Sequence, residues 1–488
     1  MRSTSPGHGF VGRSLELAQL EGAYGRVRDG GGSTIVVGGE AGAGKSRLVR
    51  ELLERPALAG AGVLSGACLE LTEAAPAYGP FVEALRGLVA TEPPERLPAL
   101  LGPWRTELAR VLPELEPRVP RGAPAEFDRT GQARLFEIIL GVVERVAARA
   151  PAVLVVEDIH WADHSTRDLL AFLVHNLRSA RVLVVITVRS DALGRDSDAL
   201  SFLAALQRDD HVTRIELGAL GRDELSALVA DRTGAIAPAA VVDALLNRTS
   251  GNPFFAEQLL QAPGLAERLR DLPPRLTDVL RARVAALPGA TRDILRAASA
   301  AGQRTDDALL EAVLDVPGPA VARALREAID AGILEPAPAA VGVAPGPAAH
   351  GGYVFRHALL REVVYGELLP GERRRLHAAF GDRLTERGEV GGVPVAAADL
   401  AYHWNAAGDP EKAVPAAVDA GRAAEAAFAF AQASGWYDRA LELWALVADA
   451  PRLAGLDRVT LLQRAAEAHV LAGDHEGAIR LGREAVNL

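Results

Sequence analysis

The sequence predicts an α/β domain built on a parallel sheet, followed by an all-helical lid, a winged helix and a solenoid of helical repeats. Three observations carry this reading. Residues 34–200 alternate short, continuously apolar runs with amphipathic helical patterns, the signature of parallel strands covered by helices on both faces. From 221 onward the pattern is helical, with a single strand-like interruption, and from 396 it is rich in alanine. A length of 488 residues, 49% hydrophobic and 24% charged, suits about three folded domains of ordinary composition.

The elements follow in order. TIVVG (34–38) is a β-branched run; a glycine-rich segment and the helix SRLVRELLE come next. GVLSGACLE (62–70) reads as a second strand, and LFEIILGVVERVAARA (135–150) as an amphipathic helix. AVLVVEDIH (152–160) is continuously apolar and ends in acids. Ser165-Thr-Arg-Asp168 reads as a capping box for the helix TRDLLAFLVHNL. RVLVVITVRSD (181–191) is another buried strand, and RIEL (214–217) a last one. The first domain is therefore set at 1–213. A helical lid at 214–265 holds GNPFF (251–255) between two helices. Residues 266–385 are helical around APAAVGVAPGPAAHGGYVF (337–355), a flexible hairpin ending in the strand YVF, as a winged helix requires. Residues 386–488 are helical again. There AGD recurs at 407–409 and 472–474, spaced by roughly two tetratricopeptide periods of about 34 residues. GWYDRALELW (435–444) fits a middle repeat. A plain helical bundle is the alternative. GAIRLGREAVNL stops inside a helical pattern, so the chain is read as a candidate piece of a longer protein.

Charge and cysteine content narrow the function. Net charge is −10, which disfavours a chain whose main work is gripping nucleic-acid phosphates. Within 266–385, 16 arginines face 15 acids, so the winged helix offers little net charge for DNA. Residues 396–488 carry 13 acids and 8 bases, which suits protein contacts better. A single cysteine, Cys68, excludes an internal disulfide and fits a reducing cytosol. The N-terminus has no apolar signal region, and no apolar run reaches membrane-span length, so a cytoplasmic protein without a membrane partner is expected.

The chemistry concentrates in GGEAGAGKS. Gly39-Glu40-Ala41-Gly42-Ala43-Gly44-Lys45-Ser46 matches G-x-x-x-x-G-K-[ST] between a strand and a helix. Such a loop wraps its N–H groups around phosphates, with the following helix adding favourable partial charge. Lys45 brings a compact ammonium to the β and γ phosphates, and Ser46 a hydroxyl to Mg2+. Only two of the 53 basic residues are lysines; a planar, forked guanidinium is too bulky for so tight a loop. Arg47 follows on the same helix. Val153–Val156 then Glu157-Asp158 has the form of a Walker B strand, with acids able to hold magnesium and orient water. Acid order in active ATPases is usually Asp then Glu; the reversal here predicts metal binding with slow hydrolysis. Arg189, ending VLVVITVR, lies where ligands bind in parallel sheets and reads as a γ-phosphate sensor. His357 reads either as a β-phosphate contact from a second domain or as a histidine satisfied inside the winged helix. The remaining histidines and Cys68 lack metal-ligand spacing, so no zinc site is expected.

These motifs line up with a known class. GFVGR (9–13) with Glu16, the glycine loop, VLVVEDIHWAD (153–163), ITVRSD (186–191), SGNPFF (250–255) and VFRHALLREVVYGELLPGERRRLHAAF (354–380) resemble signal-transduction ATPases of the STAND class, an AAA-like group. The whole resembles the N-terminal half of large LuxR-type bacterial transcription regulators, similar to the maltose regulator. The resemblance implies that Val11, Gly12 and Arg13 lie near adenine and ribose, and that Pro253 closes over adenine. It implies that Arg189 is sensor 1 and that His357 favours an ADP-bound closed state. It further implies ATP/ADP and Mg2+ as cofactors, an inducer or protein on the repeats, self-association with ATP, and DNA contact only through a C-terminal domain outside this sequence. Rival readings are the ATPase–repeat segment of a multidomain adenylate cyclase or kinase regulator, an origin-recognition-like DNA-binding AAA ATPase, and a repeat scaffold with a decayed ATPase.

Overall fold

A computed structural model describes residues 9–68, 77–112, 115, 129–193, 197–260, 276–302, 304–336, 352–387, 389–390, 393–394 and 397–488. The chain divides into two compact units. One comprises residues 1–63, 147–160 and 178–287; the other comprises 64–146, 161–177 and 288–488.

Five strands form one sheet: β1 (Ser33–Gly39), β2 (Gly62–Ala67), β3 (Ala152–Glu157), β4 (Val182–Arg189) and β5 (Val212–Leu217), in the spatial order β2-β3-β4-β1-β5. β1 pairs in parallel with both β4 and β5, and β3 with β4. Every residue of β1 is buried, which is why its sequence shows no polar alternation. The core of the first unit packs Leu17, Leu20 and Val27 of the helix Ser14–Arg28, and Leu48 and Leu52 of the helix Lys45–Glu54, against Ile35, Val37, Val153, Val185 and Ile215 of the sheet. Strands of this kind start and stop near their apolar runs, so the expected elements recur with small shifts.

One expectation is corrected. The helix after β3 spans His164–Asn176, and its cap is Asp163 rather than Ser165. Asp163 is extended, with ψ 165°, so its carboxylate accepts the Thr166 N–H at 2.9 Å; Ser165 is buried within the first turn.

A second group of helices in the first unit comprises Arg222–Thr233, Ala239–Thr249, Pro253–Leu260 and Leu276–Ala285. They bury Leu225, Leu228, Val242, Leu245, Phe255 and Leu259 together. The lid is expected from 214, but β5 continues through Leu217 in the parallel sheet and the next helix starts at Arg222, because β1 pairs with this strand along its whole length; the lid boundary at 265/266 lies outside the described residues.

In the second unit the helices Gly289–Ala301, Asp307–Leu314 and Gly318–Asp330 accompany a small antiparallel sheet, with Tyr353–Phe355 between Arg304–Thr305 and Leu334–Pro336. This is the element order of a winged helix; the hairpin 337–351 lies outside the described residues. The helices Ala397–Ala407, Pro410–Ala426, Phe430–Trp444, Arg458–Ala472 and His475–Val486 then stack successively. The recurring AGD has a physical cause. Gly408 and Gly473 take left-handed φ of 71° and 89° to end one helix. Asp409 and Asp474 cap the next, accepting from Lys412 N–H at 3.2 Å and Gly477 N–H at 3.0 Å.

A buried histidine pair lies between the helices Pro370–Arg387 and Ala397–Ala407. The Nδ1 atoms of His377 and His403 are 3.0 Å apart, and the Tyr365 hydroxyl is 2.9 Å from His377 Nε2. One Nδ1 must donate and the other accept, so this bond requires an unprotonated nitrogen. Burial, then the Arg361 and Arg373 charges, hold the His377 pKa down to about 4; burial, then His377, hold His403 down to about 3. No helix among the described residues is long and apolar enough to cross a membrane.

Candidate functional site

The glycine loop leaves the carboxyl end of β1, inside the sheet between β4 and β5. Register aligns Gly39 with Arg189 on one side and Leu217 on the other. Gly39, Gly42 and Gly44 have φ of 152°, 81° and 95°, values that side chains with a Cβ adopt at a cost. Space is equally restrictive at Gly42, where a Cβ would lie 2.8 Å from Asn252 Oδ1 and 2.9 Å from Phe254 Cβ. Gly44 precedes the helix Lys45–Glu54, whose first residues are Lys45, Ser46 and Arg47.

Lys45 is 7% exposed, and its ammonium donates to the carbonyls of Gly39 at 2.8 Å and Glu40 at 2.9 Å. Burial lowers its pKa; Asp158 opposes this most, with Asp191 and Glu216 adding to it. Asp158 leaves β3 with a left-handed φ of 56°, and its N–H donates to Thr187 Oγ1 at 2.9 Å. Burial and the neighbouring Glu157 push the Asp158 pKa up to about 6, against the pull of Lys45 and Arg189. Burial would raise the Asp191 pKa, but the Arg189 guanidinium, 3.0 Å away, holds it low. Lys45, Asp158 and Arg189 therefore form one electrostatic cluster. Ser46 is exposed at the start of the loop helix, and Glu157 is half-buried at the end of β3.

The N-terminal segment is tied to the lid. Val11 packs against the lid core. Gly12 and Arg13 are both left-handed, and Arg13 N–H donates to Glu224 Oε1 at 3.2 Å. A Cβ on Gly12 would lie 2.7 Å from that same oxygen. The buried Arg13 guanidinium reaches the carbonyls of Ala43, at 3.5 Å, and Gly218. Gly9 N–H donates to Asp231 at 2.8 Å. Arg47 bonds Glu257 at 2.9 Å and the Gly9 carbonyl at 3.0 Å, and Glu257 also takes Arg232. Pro253 opens the last lid helix directly above the loop; a Cβ on Gly44 would be 3.9 Å from its Cγ.

Arg13 and Pro253 thus lie beside the loop, and Asp158 and Arg189 act on its Lys45; Val11 and Gly12 face the lid. His357 belongs to the second unit, where it immediately precedes the helix Ala358–Gly366. Asn252, Glu224, Thr187, Glu216 and Gly38 were not singled out from sequence. Asn252 lay inside the recognised GNPFF run, and Gly38 just ahead of the loop motif. A Cβ on Gly38 would lie 2.1 Å from the Glu216 carboxylate, so this glycine makes room for it. Thr187 lay inside the ITVRSD run, while Glu224 carried no local signal.

The donor set fits a magnesium nucleotide. The loop offers backbone N–H groups and a buried ammonium for phosphate, while Ser46 and Asp158 are oxygen donors suited to a hard cation. Among the described residues no group of three or more His, Cys, Asp or Glu is placed to hold a metal. A cation here would complete its shell with phosphate oxygens and water.

Residues 9–186 match the sequence profile of the family described as AAA ATPase domain. The chain is 27% identical to an uncharacterized protein of Rhizobium meliloti (strain 1021), over 98% of this chain and 47% of the relative. It therefore spans about half the length of the curated relative it matches. Across 99% of its length the fold is similar to 65% of a signal transduction ATPase with numerous domains (STAND) protein with a tetratricopeptide repeat sensor from Pyrococcus horikoshii, with TM-score 0.53 and 17% identity. A looser similarity, TM-score 0.34 at 16% identity, links 74% of this chain with 94% of the Aeropyrum pernix ORC1 protein in complex with DNA; at that score it carries no argument.

Proposed function

We propose that this chain binds ATP and ADP with Mg2+ at the Gly39–Ser46 loop and acts as a nucleotide-controlled switch in a LuxR-type bacterial transcription regulator. The observation that carries the reading is the buried Lys45, held by two loop carbonyls beside Asp158 and Arg189. Its ammonium would exchange those carbonyls for phosphate oxygens, and loop N–H groups would hold the phosphate chain. Bound Mg2+ would supply charge neutralisation between phosphates. Ser46, Glu157 and Asp158 would hold the cation side, Asp158 would orient the attacking water, and Arg189 would report the γ-phosphate. Hydrolysis is slow in this reading, because Asp158 is one methylene shorter than the usual second acid.

Val11, Gly12, Arg13 and Pro253 would border the adenosine. ADP would hold loop, lid and winged helix closed, with His357 favouring that state. An inducer on the repeats would favour opening, exchange and self-association, which requires different affinities in the two states. DNA would be contacted by a further domain. A mant-ATP titration with magnesium tests the reading: Lys45→Ala should lose affinity, and unaltered affinity would remove the central claim. Sedimentation with ATP against ADP tests the association step.

A further inference from the structure

The lid takes part in shaping the phosphate loop. Asn252 Nδ2 donates to the Ala41 carbonyl at 2.8 Å, and the Phe254 N–H donates to the Gly42 carbonyl at 3.3 Å. Two consecutive loop carbonyls are thus held by the start of one lid helix. A trans peptide is planar, so its C=O and N–H point in opposite directions. Turning the Ala41 carbonyl toward Asn252 therefore turns the Gly42 N–H away from the lid. The Gly42 carbonyl does the same for Ala43 N–H, which closes the turn onto the Glu40 carbonyl at 3.1 Å. Asn252 is itself fixed, because its Oδ1 accepts the Phe255 N–H at 3.1 Å. Both ends of this side-chain amide are used. The same helix holds Arg47 through Glu257.

The geometry points to Asn252 as a positioning residue for phosphate binding, acting through the peptide planes of the loop rather than through the adenosine. This rests on the nucleotide reading above. It links lid position to phosphate affinity: a lid that withdraws takes Asn252 and Phe254 with it and releases both loop carbonyls. Any ligand carrying the phosphate chain should feel the change, whatever its base.

Asn252→Asp in the full chain is the direct test. The carboxylate still accepts the Phe255 N–H and is a good helix cap, but it has no donor for Ala41. Mant-ADP affinity is measured directly, and inorganic pyrophosphate affinity by competition, both with magnesium. Both should fall about tenfold, the factor that corresponds to about 1.4 kcal/mol, with the melting temperature unchanged. Asn252→Ser keeps a short capping oxygen that does not span to Ala41, and it replaces the Asp variant should that one fold poorly. Wild-type affinity for both ligands overturns the proposal. So does a loss confined to mant-ADP, which would put Asn252 at the adenosine. Lys45→Ala, run alongside, separates the two failures. Lost pyrophosphate binding there with wild-type binding in Asn252→Asp overturns the lid role alone. Wild-type pyrophosphate binding in Lys45→Ala overturns the nucleotide reading and the lid role with it.

Discussion

The two lysines of this chain sit in opposite surroundings. Lys45, in the glycine loop, is 7% exposed and bonds main-chain carbonyls. Lys412, in the first repeat pair, is half exposed; it reaches Asp382 at 2.7 Å and lies 4.1 Å from the centroid of the Trp404 ring. An arginine could make both of the second lysine's contacts, since guanidinium pairs with carboxylates and stacks on rings. It could not fit the first lysine's seat without pushing the loop apart. The loop region is built on polar grips with no slack, and the repeat region on packed helices joined by caps. Damage should therefore appear as lost binding in one and as lost stability in the other.

The largest expected effect on binding is Lys45→Arg. It should weaken magnesium–nucleotide affinity about 100-fold, the order of losing a charged hydrogen-bonding group worth about 3 kcal/mol. Calorimetric titration checks this, with the melting temperature little changed; near-wild-type binding would break the contrast.

Next comes the histidine pair. The folded values, about 4 and about 3, lie below the usual imidazole value of 6.5. Above the unfolded value both states are neutral and stability is full. As pH falls below it the unfolded chain gains protons that the folded pair refuses. Stability is therefore lost from about pH 6.5 down to about pH 4 for His377 and about pH 3 for His403. By pH 5 the loss should be about 2 kcal/mol for each histidine, about 4 kcal/mol for the pair, seen as a fall in melting temperature of about 6 °C. His403→Phe, placed beside Phe380, should flatten part of that slope. An identical slope in the variant would assign it to other groups.

Asp474→Ala removes the cap of the helix His475–Val486 and should cost about 1 kcal/mol, a drop of about 3 °C, with nucleotide affinity unaltered. The smallest effect belongs to Lys412→Arg, whose melting temperature should stay within about 1 °C, as for exposed pairs generally. A large change there would mean that the second lysine is as constrained as the first.

Legibility in the sequence follows the range of each interaction. β1, β3 and β4 were readable because buried parallel strands are continuous apolar runs. Lys45 was readable because loop, strand and helix are contiguous. The cap at Asp163 was misassigned to Ser165 because both residues satisfy capping rules, and only the backbone angles choose between them. Arg13 was expected beside adenosine; the structure shows what its guanidinium does within the fold, bonding the carbonyls of Ala43 and Gly218. Asn252 and Glu224 escaped because each acts on a segment 211 residues away.

By itself the sequence determined the strand–loop–helix unit, the lysine that chemistry demands there, and the alternation of glycine and aspartate that starts and stops the repeat helices. These depend on neighbours along the chain. Only the tertiary structure decided that the start of a lid helix holds two of the loop's carbonyls, that Arg189 stands level with Gly39, and that two histidines share one buried hydrogen bond. Each of these needs residues far apart in sequence to meet within a few ångströms, and no local propensity encodes such a meeting.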